Sequence, residues 1–233
     1  MAEQTIRQFG QAESRLCSPC QAAVFDLDGT LVNSLADLAR SCNEALAELG
    51  LPAHPQESYR HFVGNGCQKL IERALPPDRR DAASCESLRE AYNRHYEKNY
   101  LSSSAPYPGI LELLETLSRA GLKLCVVSNK PHPFTVRMVE KLFPGRFSVV
   151  TGNRPGTPVK PDPTGVLKAL NAVGVLPEKA VYIGDSDVDV LTGHNAGMPV
   201  IGCLWGFRRE EELRAAGADR LVHTADEIGR LLI

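Results

Sequence analysis

The sequence predicts an α/β fold, a parallel sheet core with an inserted all-α cap, from three observations. An apolar run at residues 22–25 is typical of a buried strand and ends in two nearby aspartates. From residue 106 onward, short apolar runs alternate with amphipathic helical patterns, which indicates a parallel sheet with crossover helices. Residues 34–101 have helical periodicity and no convincing strand pattern. A Rossmann-like core interrupted by a helical cap accounts for all three.

We divide the chain into three predicted units. Residues 1–21 form an N-terminal extension without clear periodicity. Residues 22–33 and 106–233 form the discontinuous α/β core, and residues 34–105 form the cap. Because the cap lies between the first strand and the rest of the core, it is an insertion and not an independent N-terminal domain.

The cap is predicted to begin with a helix that has Ser34 as its N-cap and ends at Gly50. The other predicted cap elements are a segment at 57–63, the loop Gly64-Asn65-Gly66, helices at 68–75 and 81–100, and a linker at 102–106.

The core alternates between strands and helices. The predicted strands are 122–127, 147–151, 180–183, 199–203 and 221–222. The predicted helices are 110–120, 134–142, 163–173, 188–196, 210–216 and 225–232.

Length and charge argue against several classes of function. The 233 residues suffice for one large or two modest domains. The net charge of −2 argues against nucleic acid as the main partner, since no basic surplus can neutralise backbone phosphates. The sequence has no run of about 18 apolar residues and no secretory h-region, so we expect no membrane partner and a cytoplasmic location.

Cys17 and Cys20 form the one local cysteine pattern, a CxxC pair. A second CxxC, an HxxxH or a helix opened by the pair would favour a zinc or redox site, and a strand follows instead. We interpret the pair as part of a disordered or loosely packed lead-in. The seven cysteines, an odd number, are interpreted as reduced thiols.

Asp26 and Asp28 lie at the end of the first strand, where open α/β sheets place their ligands. Two carboxylates one residue apart would repel each other, and a divalent cation such as Mg²⁺ would stabilise both. The alternative without function is an Asp-Gly turn after a strand.

Three other strand ends carry chemically useful groups. Ser128 and Asn129 offer a hydroxyl and a backbone N–H to a phosphate oxygen, although such a pair is usually a turn. Lys160 lies in a turn restricted by two prolines, where its charge would offset an anionic site, although most lysines are solvated. Carboxylates at Asp185 and Asp189 suggest a cation, although one of them could cap the following helix.

The segment Asp26-Leu27-Asp28-Gly29-Thr30 resembles the first motif of the haloacid dehalogenase-like hydrolases, which are mostly Mg²⁺-dependent phosphatases acting through an aspartyl phosphate. The order DxDGT, Ser, Lys-Pro, GDxxxD is also similar to that family's. The resemblance implies that Asp26 is the nucleophile and Asp28 the general acid and base. It also implies that Mg²⁺ is held by the Asp26 carboxylate, the Asp28 backbone carbonyl and Asp185.

The same resemblance implies roles around the phosphoryl group. Ser128 would bind it with help from the Asn129 backbone, and Lys160 would neutralise its charge. Asp189 would orient Lys160 or the water shell of the metal. The candidate substrate-binding residues are Thr30, Gly64, Asn65, Gly66, Ser128, Asn129 and Lys160.

The amino-acid sequence of the cap resembles that of the phosphoglycolate phosphatases of the helical-cap subfamily, for example at Phe62-Val63-Gly64-Asn65-Gly66. This implies 2-phosphoglycolate as the substrate and a monomer or homodimer as the assembly. Asn33 stands where those enzymes often have Asp and where related pyrophosphatases have Asn. The alternatives are therefore a pyrophosphatase, a sugar-phosphate enzyme of the β-phosphoglucomutase kind and, more distantly, a non-catalytic binding protein.

Overall fold

The computed structural model describes residues 16, 17 and 19–233. The strands are Ala22–Phe25 (β1), Val32–Asn33 (β2), Ala105–Pro106 (β3), Lys123–Pro131 (β4), Val149–Asn153 (β5), Ala180–Gly184 (β6), Val200–Cys203 (β7) and Arg220–Val222 (β8). The helices are Leu35–Glu48 (α1), Tyr59–Phe62 (α2), Cys67–Ala74 (α3), Ala82–Asn99 (α4), Ile110–Arg119 (α5), His132–Leu142 (α6), Thr164–Val173 (α7), Asp187–Asn195 (α8), Glu210–Ala216 (α9) and Ala225–Leu232 (α10).

A six-stranded parallel sheet forms the centre of the core, in the order β5-β4-β1-β6-β7-β8. β1 lies between β4 and β6, and all its residues are buried. Its side chains alternate between two apolar clusters: Ala23 and Phe25 pack with α5, α6 and α10, and Ala22 and Val24 with α7, α8 and α9. Helices therefore cover both faces, as a parallel sheet requires. The predicted α/β fold class is confirmed.

The helices α1 to α4 form a separate apolar cluster that includes Leu46, Leu88 and Tyr96. As predicted, the structure has helices and no strand between residues 34 and 101. The apolar faces of α1 and α4 pack against each other, which explains why the segment needs no sheet to cover it. The division of the chain at residues 33/34 and 105/106 stays a prediction.

Two short strands join the helical segment to the core, and the sequence did not predict them. β2 pairs antiparallel with β3, with Val32 opposite Pro106 and Asn33 opposite Ala105. The segment at 102–106 had been interpreted as a linker. Strands of two residues are too short to produce a periodic pattern, so only their pairing reveals them.

The strand β4 is longer than predicted and continues beyond Val127 to Pro131. Its pairing with β5 shifts in register between these two residues, so the extension crosses an irregularity in the ladder. The pair Ser128 and Asn129 had suggested a turn at this point. The extension carries Ser128 and Lys130 beyond the edge of β1, toward the paired aspartates.

The interpretation of Cys17 and Cys20 as reduced thiols in a loose lead-in is wrong. The two residues form a disulfide, with their Cα atoms 5.0 Å apart. Cys17 is buried against the core, and Leu16 and Cys20 pack beside it. This separation lies within the range that a disulfide requires. The rest of the predicted extension, residues 1–15 and 18, lies outside the described residues.

Among the residues that the structure describes, no helix combines the length and the apolar character needed to cross a membrane.

We expect Leu88→Ala to lower the free energy of unfolding by about 2–5 kcal/mol, because it leaves a cavity between α4 and α1. Leu88 is 0% exposed. Leu111→Ala is the matched control, because Leu111 is 45% exposed, and it should change the free energy by less than about 0.5 kcal/mol. Urea denaturation measures both values. If Leu88→Ala and Leu111→Ala lowered the free energy of unfolding equally, Leu88 would not be packed between α4 and α1 as described.

Candidate active site

The predicted site residues converge at the carboxyl-terminal edge of the sheet. Asp26 and Asp28 follow β1, Ser128 lies in β4, and Asp185 follows β6, the three strands that are adjacent at the centre of the sheet. Lys160 reaches the same place from the loop between β5 and α7. The parallel sheet therefore brings together residues that are far apart in the chain.

A buried lysine joins two of the carboxylates. Lys160 Nζ lies 2.9 Å from Asp26 Oδ1 and 2.7 Å from Asp189 Oδ1. It also donates to the Tyr182 hydroxyl at 3.1 Å. Burial by itself would lower the pKa of Lys160, but the charges of Asp189 and Asp26 raise it well above its usual value. The lysine therefore keeps its positive charge inside the protein.

Asp26 is short of positive partners despite this contact. Burial raises its pKa to about 6; Lys160 opposes this rise, and the charges of Asp189 and Asp28 add to it. The contact with Lys160 lacks hydrogen-bond geometry, and Asp26 Oδ1 receives no hydrogen bond from any residue of the described chain. This oxygen is therefore available to another positive group.

Asp185 is fixed by the core around it. Its carboxylate accepts hydrogen bonds from the Thr30 hydroxyl at 2.9 Å and from the Phe207 N–H at 2.8 Å. Burial, followed by the charges of Asp189 and Asp26, raises its pKa to about 8. The Thr30 hydroxyl is thus bonded to Asp185. Thr30 was predicted to bind substrate, but it does not line the cavity that Asp26 and Asp28 line.

The carboxylates of Asp26, Asp185 and Asp189 offer oxygens within 4.8 Å of one another. Asp189 is already satisfied, because Lys160 and Ser186 Oγ donate to its two oxygens. Asp26 and Asp185 keep an excess of negative charge, and hard oxygen ligands suit Mg²⁺. The donor set therefore fits a divalent cation between Asp26 and Asp185. The Asp28 carboxylate lies outside this group. That the Asp28 backbone carbonyl is a metal ligand stays a prediction.

Asp28 instead forms a contact that the sequence analysis missed. Lys130 Nζ lies 3.0 Å from both Asp28 carboxylate oxygens, and its side chain is 3% exposed. Ser34 Oγ donates to Asp28 Oδ1 at 2.6 Å, so Ser34 occupies the N-cap position of α1 without capping it. Ser128 and Lys130 are two residues apart in a strand, a spacing that could have indicated one shared face. Because β4 was predicted to end at residue 127, Ser128 and Lys130 were not recognised as residues on one face of a strand.

Asn129 connects three parts of the site through its side chain. Its Oδ1 accepts from the Lys160 N–H at 2.8 Å, and its Nδ2 donates to the Lys160 carbonyl at 3.1 Å. The same Nδ2 lies 3.1 Å from the Gly64 carbonyl, in the predicted loop of the cap. The sequence analysis had assigned only the backbone of Asn129 to the site.

A cavity of about 60 Å³ lies between the helical segment and the core. Its core wall is polar and its helical wall is mostly apolar. Gly64 and Gly66 line it, as predicted, whereas Asn65 lines a neighbouring cleft. The residues around the cavity are Asp26, Asp28, Leu38, Val63, Gly64, Gly66, Cys67, Leu70, Tyr92, Tyr96, Ser128, Asn129, Lys130, Pro131 and Phe134.

Two arginines connect the helical segment to the core. Arg208, which is buried, donates to the carbonyls of Arg60 and Val63, the latter at 3.0 Å. Arg60 donates in return to the Gly206 carbonyl at 2.8 Å. These bonds fix the end of α2 directly before the glycine loop.

Comparisons with known proteins agree with this site. The family model described as haloacid dehalogenase-like hydrolase matches residues 23–203. The phosphoglycolate phosphatase of Aquifex aeolicus is 37% identical over 185 residues, which cover 79% of this chain and 84% of that protein. The phosphoglycolate phosphatase of Mannheimia succiniciproducens is 38% identical over 191 residues, covering 78% and 85%.

Solved structures show the same architecture. A protein of Lactobacillus delbrueckii subsp. bulgaricus with a predicted phosphoglycolate phosphatase function superposes with a TM-score of 0.87 at 31% identity, covering 91% of this chain and 98% of that one. CbbY from Rhodobacter sphaeroides, solved in complex with phosphate, gives a TM-score of 0.76 at 27% identity, covering 90% and 96%.

We expect Gly206→Ala to disturb Asp185, because an added Cβ would lie 2.2 Å from the Asp185 Cβ. The free energy of unfolding should fall by about 1–3 kcal/mol, measured by urea denaturation. Gly229→Ala is the matched control, since its added Cβ would lie 3.8 Å from Leu113, an ordinary contact. If the two variants are equally stable, the close packing around Asp185 is not as described.

Proposed function

The chain belongs to the haloacid dehalogenase-like hydrolases, and we propose that it is a Mg²⁺-dependent phosphatase that converts 2-phosphoglycolate to glycolate and phosphate. The observation that carries the proposal is the buried contact between Asp26 and Lys160 at the edge of the sheet, beside a small cavity. An anionic nucleophile needs such a cation before it can approach a phosphate group. The names of the relatives support the choice of substrate.

In the proposed reaction, an Asp26 oxygen attacks phosphorus and the bond from phosphorus to the ester oxygen breaks. Asp28 donates a proton to the leaving oxygen. In the second half, Asp28 accepts a proton from the water that attacks the aspartyl phosphate, which releases phosphate and restores Asp26. Both residues line the cavity.

The other residues stabilise charge. The Ser128 hydroxyl and the Asn129 N–H donate to the phosphoryl oxygens, and Lys160 neutralises the nucleophile and the phosphoryl group. Asp189 holds Lys160 in place through its 2.7 Å contact. When Mg²⁺ is bound by Asp26, the Asp28 carbonyl and Asp185, it supplies positive charge that lets the two anions meet.

The proposed partner is a small phosphorylated metabolite. The lack of nucleic-acid and membrane partners, the cytoplasmic location and the monomeric or homodimeric state stay predictions.

We expect 2-phosphoglycolate to be the best substrate in the presence of Mg²⁺, because the cavity of about 60 Å³ has room for few atoms beyond the phosphoryl group. Phosphate release is measured beside pyrophosphate, β-glucose 1-phosphate and a generic aryl phosphate. Equal rates on all four compounds would support phosphatase activity but would contradict 2-phosphoglycolate as the preferred substrate. A phosphoenzyme that returns its phosphoryl group to a sugar phosphate would favour the mutase, and no turnover would favour the binding protein.

We expect Asp26→Asn to lower kcat by about 10³-fold or more, because the amide is a poor nucleophile for phosphorus. Phosphate release and trapping of a phosphoenzyme are the measurements. Asp78→Asn is the matched control, because Asp78 is exposed and far from the site in sequence. Wild-type turnover by Asp26→Asn would exclude Asp26 as the nucleophile.

A further inference from the structure

We infer that Lys130 and Tyr96 form the binding site for the substrate's carboxylate, and that the carboxylate replaces Asp28 at Lys130 and so releases Asp28 toward the leaving oxygen. The inference rests on the proposed function. It names the group of the substrate that is recognised and connects its recognition to the proton transfer.

Both carboxylate oxygens of Asp28 contact neighbouring side chains. Lys130 Nζ contacts both of its oxygens at 3.0 Å, and Ser34 Oγ donates to one of them at 2.6 Å. To donate a proton to a leaving oxygen, Asp28 must turn one of its oxygens toward that atom, and the bridging contact of Lys130 with both oxygens opposes this. A ligand that takes over the contact with Lys130 frees Asp28 to turn.

Lys130 is the only cation among the described residues that line the cavity. Its ammonium group is buried and meets a single carboxylate, that of Asp28. A substrate with a second anionic group beside its phosphate would place that group against Lys130, because the opposite wall, with Leu38, Val63 and Leu70, is apolar. A substrate carboxylate is chemically equivalent to the carboxylate that it replaces.

Tyr96 provides a second polar group beside Lys130. It is 1% exposed and lines the cavity, and its hydroxyl has no hydrogen-bond partner among the described residues. Its ring is stacked on Tyr92 with centroids 5.3 Å apart, and Lys130 Nζ lies 4.8 Å from its centre. A buried hydroxyl without a partner costs stability, and an acceptor oxygen from a ligand would remove that cost.

The replacement of Asp28 by the substrate carboxylate at Lys130 exchanges one carboxylate for another and needs no additional reagent. The substrate carboxylate accepts hydrogen bonds from the Lys130 ammonium and the Tyr96 hydroxyl, and Asp28 retains Ser34 as a partner. Asp28 then faces the ester oxygen and donates a proton to it as the bond from phosphorus to that oxygen breaks and the bond to Asp26 forms. It regains a proton from the water that attacks the aspartyl phosphate. A phosphate ester without a carboxylate leaves the pair of Asp28 and Lys130 intact and therefore reacts slowly.

The test compares 2-phosphoglycolate with ethyl phosphate, which has the same two-carbon chain and no carboxylate. We measure kcat and KM for both with the full chain and Mg²⁺. In Lys130→Met, the ratio of the two kcat/KM values should fall by about 100-fold, and in Tyr96→Phe by about 10-fold. The loss in Lys130→Met should lie mainly in KM for 2-phosphoglycolate, because the substrate carboxylate has lost its cation. The kcat for ethyl phosphate should rise, because Lys130 no longer holds Asp28.

Lys141→Met is the matched control, because Lys141 is exposed on α6, and it should leave the ratio unchanged. Lys130→Arg, which keeps the charge, should restore part of the preference. Circular dichroism and thermal unfolding verify the fold of each variant, and Tyr96→Phe keeps the ring packing should Lys130→Met fail to fold.

Each negative outcome has a distinct meaning. If the wild type hydrolyses 2-phosphoglycolate and the ratio in Lys130→Met and Tyr96→Phe changes by less than about threefold, the inference is wrong and the proposed function stands. Equal losses on both substrates would likewise overturn the inference. If the wild type hydrolyses neither ester, the proposed function itself fails.

Discussion

The structure depends on the burial of more negative than positive charge at one edge of a sheet. Asp26, Asp185 and Asp189 lie close together, and Lys160 is the cation that contacts two of them. Burying charges is costly unless each finds partners. The surroundings supply these partners: Tyr182 for Lys160, Ser186 for Asp189, and Thr30 and the Phe207 N–H for Asp185. Asp26 Oδ1 remains without a hydrogen bond among the described residues.

Asp28 and Lys130 form a second ion pair, which differs from the first in its surroundings. The pair of Asp26 and Lys160 is buried in the core, whereas Lys130 also touches Tyr96 of the helical segment. Because Lys130 contacts both the core and the helical segment, a ligand that enters the cavity between them meets Lys130. In the proposed reaction, the core therefore holds the nucleophile Asp26, and the boundary between the two parts holds the acid Asp28.

The sequence was sufficient to predict the fold class and most elements, because buried strands and amphipathic helices have distinct periods. It also predicted which strand ends carry Asp26, Ser128 and Asp185, since parallel strands end at one edge. It could not predict Lys130, because turn-forming residues hid the extension of β4 across an irregular register. The contacts of Thr30 and Asn129 depend on the exact approach of distant backbone segments, which no local pattern encodes. Burial of Cys17 depends likewise on packing against the core.

The reciprocal bonds of Arg60 and Arg208 have a consequence for the exchange of molecules with solvent. Movement of α2 away from the core, which would widen the cavity, breaks the bonds from Arg208 to Val63 and from Arg60 to Gly206. Gly206 also packs tightly against Asp185, so the bond from Arg60 ends beside the acidic cluster. The frequency of this movement sets a ceiling on how often a molecule larger than the cavity can be exchanged, however fast the chemical steps are.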